Sequence, residues 1–562
     1  MKSGKKINLS MMDDKLRQIA PREMTDVKQL QDGLVLVINL FEQQLALTEE
    51  LRKENRALRD EINLLKGEQA NPKFPKPGKG KQPLPNTGPA KKKTGKGKNH
   101  KKGSNKGTLK IHRTVTVRPD LSTLPADVVF KEYKKIVQQD IRFETYNTAY
   151  RIAIYHSVKK GKTYRGEMPD DYRGQFGLGI ISLTQLLHHF GDMTEGRLEA
   201  IYKSLGVSIS SGTISNIITD KGDWALSEQT DILRSGVTHS AFTQGDGTKS
   251  VERGKSMVTQ IICGEKFSVF FTMPNKSRLD VLSALQGKPS EGLRISLNEL
   301  SGELMGSLQI GKCHQELLET LLVRGASILL TELEDILAGS TLGNKPLLQM
   351  RVKQALALSH YLKQEDFPVV KWLLSDDAGE YTKIATKGQA LCWIHDGRYY
   401  RKLIPRMEVH KAIHERILTQ YWAYYAKLNA YRKAQPKERR EQRPHLEQEF
   451  ESLFNQTTDY FQVNECLART YANKEKLLAV LENPAIPLHN NAAELGARRV
   501  VRKRDISLHT WSAKGTKVRD AYMTIVETAA KLGVNAMDYI KDRLSGQLEM
   551  RSLADSVALA YQ

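Results

Sequence analysis

Residues 240–273 read SAFTQGDGTKSVERGKSMVTQIICGEKFSVFFTM. β-branched and aromatic residues dominate this stretch, and the spacing predicts three strands: Ser240–Asp246, then Met257–Cys263 and Lys266–Met273. The last two are joined by a tight turn at Gly264-Glu265, with Phe267, Val269 and Phe271 alternating along the third. A helix is expected near 276–286. Farther on, Phe367–Ser375 (FPVVKWLLS) is an apolar run that ends at Asp376, the pattern of a buried parallel strand. Residues 287–366 and 405–482 have helical patterning, and a further helix is expected from about Asn491.

Without the helical blocks, the order is strand, hairpin, helix, strand, helix and a late helix. That is the order of an α/β, ribonuclease-H-like mixed sheet. The expected core is in three parts, 236–286, 367–404 and 486–562, with helical insertions at 287–366 and 405–485.

Upstream the chain changes character twice. Over 24–68 a coiled coil is expected. Leu34, Phe41, Thr48, Asn55 and Ile62 repeat every seven residues, and Leu30, Val37, Gln44, Leu51, Leu58 and Leu65 form the second row of an a/d seam. The alternative is an amphipathic helix packed on its own protein; the basic stretch that follows favours self-association as a homodimer or higher homo-oligomer. Residues 69–111 form a lysine-rich linker. Thirteen lysines fall within 70–110 and no acidic residue does, a composition that cannot offset chain entropy by burying apolar surface. The formal net charge of the whole chain is +22. Such an excess points to a polyanionic partner, with double-stranded DNA foremost. Residues 112–235 are expected to be a helical DNA-binding region. Within it, Thr194–Gly222 has a helix-turn-helix pattern in which Leu198, Ile201, Leu205, Ile214, Ile217 and Ile218 share a small core. Ser211, Thr213 and Ser215 stand at the start of its second helix, where a reading helix meets DNA. Two packed helices without a DNA role would look the same.

The four cysteines, at 263, 313, 392 and 466, lack zinc-knuckle spacing and read as reduced thiols, so no zinc is expected. The start of the chain has no apolar leader and no apolar run reaches the ~20 residues of a membrane span, so no membrane partner and a cytoplasmic, nucleoid-associated location are expected.

Three carboxylates stand out. Asp246 ends a strand between Gly245 and Gly247, Asp376 follows the apolar strand, and Glu494 lies in the first turn of a late helix. Acids at strand ends face the crevice where open α/β sheets place their sites. Oxygen ligands suit Mg²⁺ or Mn²⁺, and two such ions support in-line displacement at phosphorus. Each acid also has a plain structural reading. Asp246 suits a turn, Asp376 and Asp377 suit helix caps, and Asn491 with Glu494 has capping-box spacing. Beside them, His395 and Arg398 share a helix face and suit a scissile phosphate, although His395 alone reads equally well as a packed histidine. Arg498, Arg499, Arg502, Lys503 and Arg504 suit the DNA backbone. Trp511 suits base stacking or core packing.

At these motifs the sequence resembles the insertion sequence 66 transposases. The resemblance rests on GDGT around Asp246, on SDDAGEY followed by ALCWIHDGRYYRKL, and on PLHNNAAELGARRVVRK from Pro487. It implies a ribonuclease-H-like domain with a DDE triad at Asp246, Asp376 and Glu494, two divalent ions, and cleavage and strand transfer at transposon ends; it leaves room for helper proteins. Two departures stand out. The family's cysteine-rich module is absent between the coiled coil and the catalytic domain, and Asp246 and Asp376 are 130 residues apart. The competing readings are a metal-dependent nuclease of the same fold and a non-enzymatic, domesticated DNA-binding protein.

Overall fold

A computed structural model describes residues 26–65, 111–119, 130–141, 144–169, 172, 174–220 and 222–562. The chain divides into two units, one of residues 1–43 with 144–562 and the other of 44–143. In the smaller unit the described residues are the second half of the helix Val27–Leu65 and segments without regular secondary structure after 110. The linker expected at 69–111 lies outside the described residues apart from Ile111.

The larger unit holds everything else. Its first regular element beyond the long helix is a small antiparallel hairpin, β1 (Ile154–Ser157) and β2 (Lys162–Arg165). This corrects the expectation of a mainly helical region from 112. Among the described residues from 111 to 177 there is no helix, and apolar side chains such as Ile152, Ile154 and Tyr155 are exposed there. Helices Leu178–His189, Glu195–Ser204 and Ser211–Asp220 then close a small core of Ile181, Leu198, Tyr202, Ile209, Ile214, Ile217 and Ile218. The last two of these helices stand where the helix-turn-helix pattern was expected; Ile201 and Leu205, expected in the shared core, are half-buried and are not part of it.

The centre is a mixed five-stranded sheet built from β3 (Thr243–Glu252), β4 (Lys255–Cys263), β5 (Ser268–Met273), and, beyond a helical excursion, β8 (Trp372–Ser375) and β9 (Gly388–Leu391), in the order β5-β4-β3-β8-β9. β3, β4 and β5 are antiparallel neighbours, whereas β3–β8 and β8–β9 are parallel. The first expected strand therefore ends six residues too early: β3 runs past Asp246 to Glu252. It turns into β4 through Arg253 and Gly254, both at positive φ (45° and 78°). Two consecutive left-handed residues make the tight hairpin that matches strand twist. The usual sign is Asn-Gly, and Arg at the first position hides it.

The β5 edge is sealed rather than open. From the helix Ala513–Leu532, Asp520, Thr524 and Thr528 accept hydrogen bonds from the N–H groups of Thr272, Phe270 and Ser268. Their four-residue spacing lines them up on one helix face, so each meets every second donor of the strand. The helix Arg278–Gln286 starts on a capping box between Ser277 and Asp280 and stops at Gly287, whose φ of 62° suits glycine.

The 287–366 excursion is mostly helical, as expected, but also carries a three-residue ladder, β6 (Arg294–Ser296) with β7 (Ser327–Leu329). Strands this short leave no period to read. The second excursion holds the helices Glu408–Lys433, Pro436–Phe454 and Phe461–Ala472 around an aromatic core that includes Trp393, Tyr421, Tyr424 and Phe450. No described helix is long and apolar enough to cross a membrane.

Candidate functional site

β3 pairs with parallel β8 only at Thr243–Leu373 and Gln244–Leu374, and beyond that it continues against β4 alone. Asp246 thus stands in mid-strand, two residues past the end of the parallel pairing, at the mouth of the crevice between β3 and β8. The flanking glycines have a packing reason. A Cβ on Gly245 would lie 3.3 Å from the Tyr381 ring, and one on Gly247 would lie 3.3 Å from the Gln260 amide. Tyr381 donates to Gln260 at 3.1 Å, which forms a buried floor beneath the acid. Asp246 accepts from the Gly247 N–H at 2.7 Å. Burial pushes its carboxyl up to about 6; Asp376 and Glu494 add to the rise, and Gly247 and Lys276 oppose it.

Asp376 and Asp377 follow β8 and differ sharply. The Asp377 carboxylate is ion-paired with Arg469, whose guanidinium lies 3.4 Å over the Tyr399 ring. Asp376 accepts a weak 3.3 Å bond from the Ala378 N–H and is among the charges felt by Asp246, Lys276 and His395. Lys276, in the loop after β5, pairs with Glu380 at 3.1 Å. Burial pulls its ammonium down, but Glu380, Asp376 and Asp246 outweigh that and hold it above its usual value.

Glu494 enters from the helix Asn491–Ser507, which packs across β3 and β4. Asn490 fixes the start of that helix: buried, it donates from its amide to the Gly245 carbonyl at 2.9 Å, beside Asp246. The capping-box reading of Glu494 is not realised, since no side chain caps this helix. Instead the Glu494 carboxylate is 3.3 Å from Arg398 Nη2 and 3.6 Å from His395 Nε2, both on the helix Trp393–Lys402. Burial, then Arg398, lowers the His395 pKa, with Glu494 and Asp376 opposing.

The basic run divides by helix face. Arg498 and Arg502 are exposed and follow Glu494 at four-residue intervals, so the three share one face. Arg499 points the other way, pairing with Asp192 at 2.6 Å and Glu527 at 3.1 Å and donating to the His189 and Phe190 carbonyls. Lys503 is 4% exposed and donates to the His188 carbonyl; burial lowers its pKa to about 8. These two hold the helix Leu178–His189 in place and are turned away from any phosphate. Arg504 donates to the Lys249 carbonyl. Trp511 is 76% exposed, so it is not a core residue. In the helix-turn-helix, Ser210 caps the second helix by accepting from the Thr213 N–H; Ser211, Thr213 and Ser215 are half-buried and stand apart from the acids in sequence and element.

The donor set suits a hard divalent cation, being all carboxylate oxygen, and the mutual raising of Asp246 by its neighbours is a field that a cation relieves. Among the described residues, no three His, Cys, Asp or Glu side chains are gathered tightly enough to hold an ion as they stand. The reason is visible at Glu494, which is turned toward Arg398 and His395. Lys276 and Arg469 were missed by sequence reasoning, one in a loop and the other in a distant helix, with nothing in the local pattern to mark either; Asn490 lay within the quoted PLHNNAAE motif, but no role was read for it.

Comparison with known proteins gives first a class, that of DNA-processing enzymes that bind DNA. The family model described as Transposase IS66 family matches residues 353–518, and it is the family that the motifs resembled. The matched segment includes Asp376, the CWIHDGR run and Glu494. The chain is also 28% identical over 344 residues to the uncharacterized protein y4jO of Sinorhizobium fredii, covering 58% of this chain and 98% of that one. No solved structure matches.

Proposed function

We propose that this protein is a DDE transposase that cleaves DNA at the ends of an insertion sequence and transfers the strand, on a ribonuclease-H-like core. The observation that carries the reading is the convergence of Asp246 on β3, Asp376 after the parallel strand β8, and Glu494 on a helix packed across β3. The sheet order β5-β4-β3-β8-β9, with three antiparallel strands followed by two parallel ones, supports the same core. Asp246, Asp376 and Glu494 would hold Mg²⁺ or Mn²⁺. When bound, two such ions supply an activated attacking oxygen and charge relief for the leaving one. The chain's own groups do the rest. Lys276 and Arg398 place positive charge on either side of the acids, where a scissile phosphate enters. His395, with Nε2 3.6 Å from Glu494, stands beside the acids where it would meet the same phosphate. Arg498 and Arg502 continue the cationic track along the helix.

Self-association would support synapsis of two DNA ends. Leu30, Leu34, Val37, Phe41, Leu51 and Leu58 are exposed along the helix Val27–Leu65, a row that would pair with a second copy, while Asn39 and Glu42 of the same helix are buried against the chain's own Asp459 and His410. The deciding experiment uses Asp246→Asn, Asp376→Asn and Glu494→Gln on linear element ends. Each is expected to abolish cleavage and strand transfer while DNA binding and melting temperature are kept. Normal cleavage by all three would overturn the mechanism, and cleavage without joining in the unaltered chain would favour the nuclease.

A further inference from the structure

The helix Asn491–Ser507 ends in an unusual turn. Leu508 follows it at φ 60° and ψ −66°, a conformation that costs a branched, non-glycine residue free energy. The strain is held from both sides. The Leu508 N–H donates back to the Arg504 carbonyl at 2.7 Å, and Thr510 is stitched to the tip of the β3–β4 hairpin. There the Arg253 N–H donates to the Thr510 carbonyl at 2.7 Å, and the Thr510 N–H donates to the Val251 carbonyl at 3.3 Å. Arg253 is itself at positive φ. Two tight turns thus brace each other.

What this bracing presents is apolar and exposed. Leu508 is 68% exposed and Trp511 is 76% exposed, the indole touching the His509 ring edge-on with centroids 4.5 Å apart. A large aromatic held out on a fixed backbone is ready to stack without paying for its own ordering. The surroundings select the partner. Arg253, Lys255, Lys249 and Arg502 are exposed around the turn, against the acids Asp505 and Glu252, and Glu252 already accepts from Thr516. A cationic rim around an aromatic tip fits a nucleic-acid backbone with a base to stack on.

The distance from the acids follows from both elements that connect them. From Asp246 to Arg253 is seven strand residues, about 23 Å. From Glu494 to Leu508 is fourteen helical residues, about 21 Å. Arg498 and Arg502 lie between, on the Glu494 face. A duplex following that track covers about six base pairs over this length at ~3.4 Å per pair.

We propose that the Leu508–Trp511 turn is a rigid wedge that opens and stacks on a base step of the DNA about six base pairs from the phosphate held at the acids. The inference rests on the DNA-processing reading of that site. Its test needs no chemistry: the full-length chain, free of divalent cation, is titrated with a synthetic duplex and with the same duplex carrying adjacent mismatched pairs. Stacking on an already unpaired base spares the cost of opening it, so the unaltered chain should prefer the mismatched duplex by about tenfold. Trp511→Ala should lose that preference while binding paired duplex within about twofold of normal, at an unchanged melting temperature; Trp511→Phe should keep most of it. Equal binding of both duplexes by the unaltered chain, or a preference that survives Trp511→Ala, overturns the wedge and leaves the DNA reading standing. Failure to bind either duplex overturns both.

Discussion

Arg398 Nη2 lies 3.3 Å from the carboxylate of Glu494, so the third acid of the site is already engaged by a cation of the protein's own. Arg398 is 46% exposed on its side chain, and such half-exposed pairs are worth only ~0.2–1 kcal/mol. A divalent ion can outcompete a contact that weak. Arg398→Gln should therefore tighten Mn²⁺ binding by about two- to fivefold, read by titration calorimetry. Unchanged or weaker binding would mean that Arg398 does not hold Glu494 back.

Asp377 gives a direct test of which aspartate matters. Its carboxylate is tied to Arg469, whereas Asp376 has no cationic partner that close among the described residues. Asp377→Asn should cost no more than ~1 kcal/mol in a thermal melt and leave DNA cleavage largely intact. Asp376→Asn should leave stability unchanged and remove cleavage. The reverse pattern would move the ligand by one residue.

The central strands and their acids were legible because a buried parallel strand and an alternating hairpin each impose a local pattern: Phe367–Ser375 announced β8, and Phe267–Phe271 announced β5. What was hidden is non-local. Asp246 was placed at a strand end, but only its parallel pairing ends there, and a register between β3 and β8 cannot be read from either strand alone. The basic run after Glu494 read as one cationic surface, yet Arg499 and Lys503 are turned inward by carbonyls and acids some three hundred residues upstream. Asp376 was preferred to Asp377 only because it directly follows the apolar strand; the stronger distinction, Arg469 beside Asp377, comes from the second helical excursion.

The long helix makes a prediction of assembly. Leu51 and Leu58 are about half exposed, one heptad apart. Replacing both by Glu would put charge into a paired seam but into solvent in a single chain. Light scattering should show the mass fall to that of one chain, with the melting transition of the catalytic unit unchanged. A mass unaffected by the change would remove this helix from the oligomer interface.

Asp396 sets a pH dependence. It is 7% exposed, and burial raises its carboxyl to about 6, with Thr470 and Tyr421 hydroxyls donating to it in opposition. The folded value is above the unfolded one, so the neutral form suits the fold. The group costs nothing below about pH 4, and its ionisation costs up to about 3 kcal/mol once pH exceeds about 6. Asp396→Asn keeps an acceptor for both hydroxyls and should melt higher than the unaltered protein at pH 8, with the gain vanishing toward pH 4. A gain that is the same at both pH values would show that Asp396 is not ionising in the fold.

The last prediction separates two kinds of arginine on one helix. Arg498 and Arg502 are exposed on the Glu494 face, while Arg499 is largely enclosed between Asp192 and Glu527. If DNA follows the Glu494 face, each exposed arginine that meets a phosphate releases condensed counterions, and the log–log salt slope of binding changes by ~0.9 per contact. The double variant Arg498→Ala, Arg502→Ala should flatten that slope by about 2 and leave the melting temperature alone. Arg499→Ala should do the opposite. Removing one partner from a mostly buried ion pair strands the acids Asp192 and Glu527 and leaves the His189 and Phe190 carbonyls without their donor, a loss of roughly 3 kcal/mol. Its salt slope should match the unaltered chain wherever it remains folded. A slope that responds to Arg499 but not to Arg498 and Arg502 would place the DNA on the other face of the helix, and the track from the acids to Trp511 would fall with it.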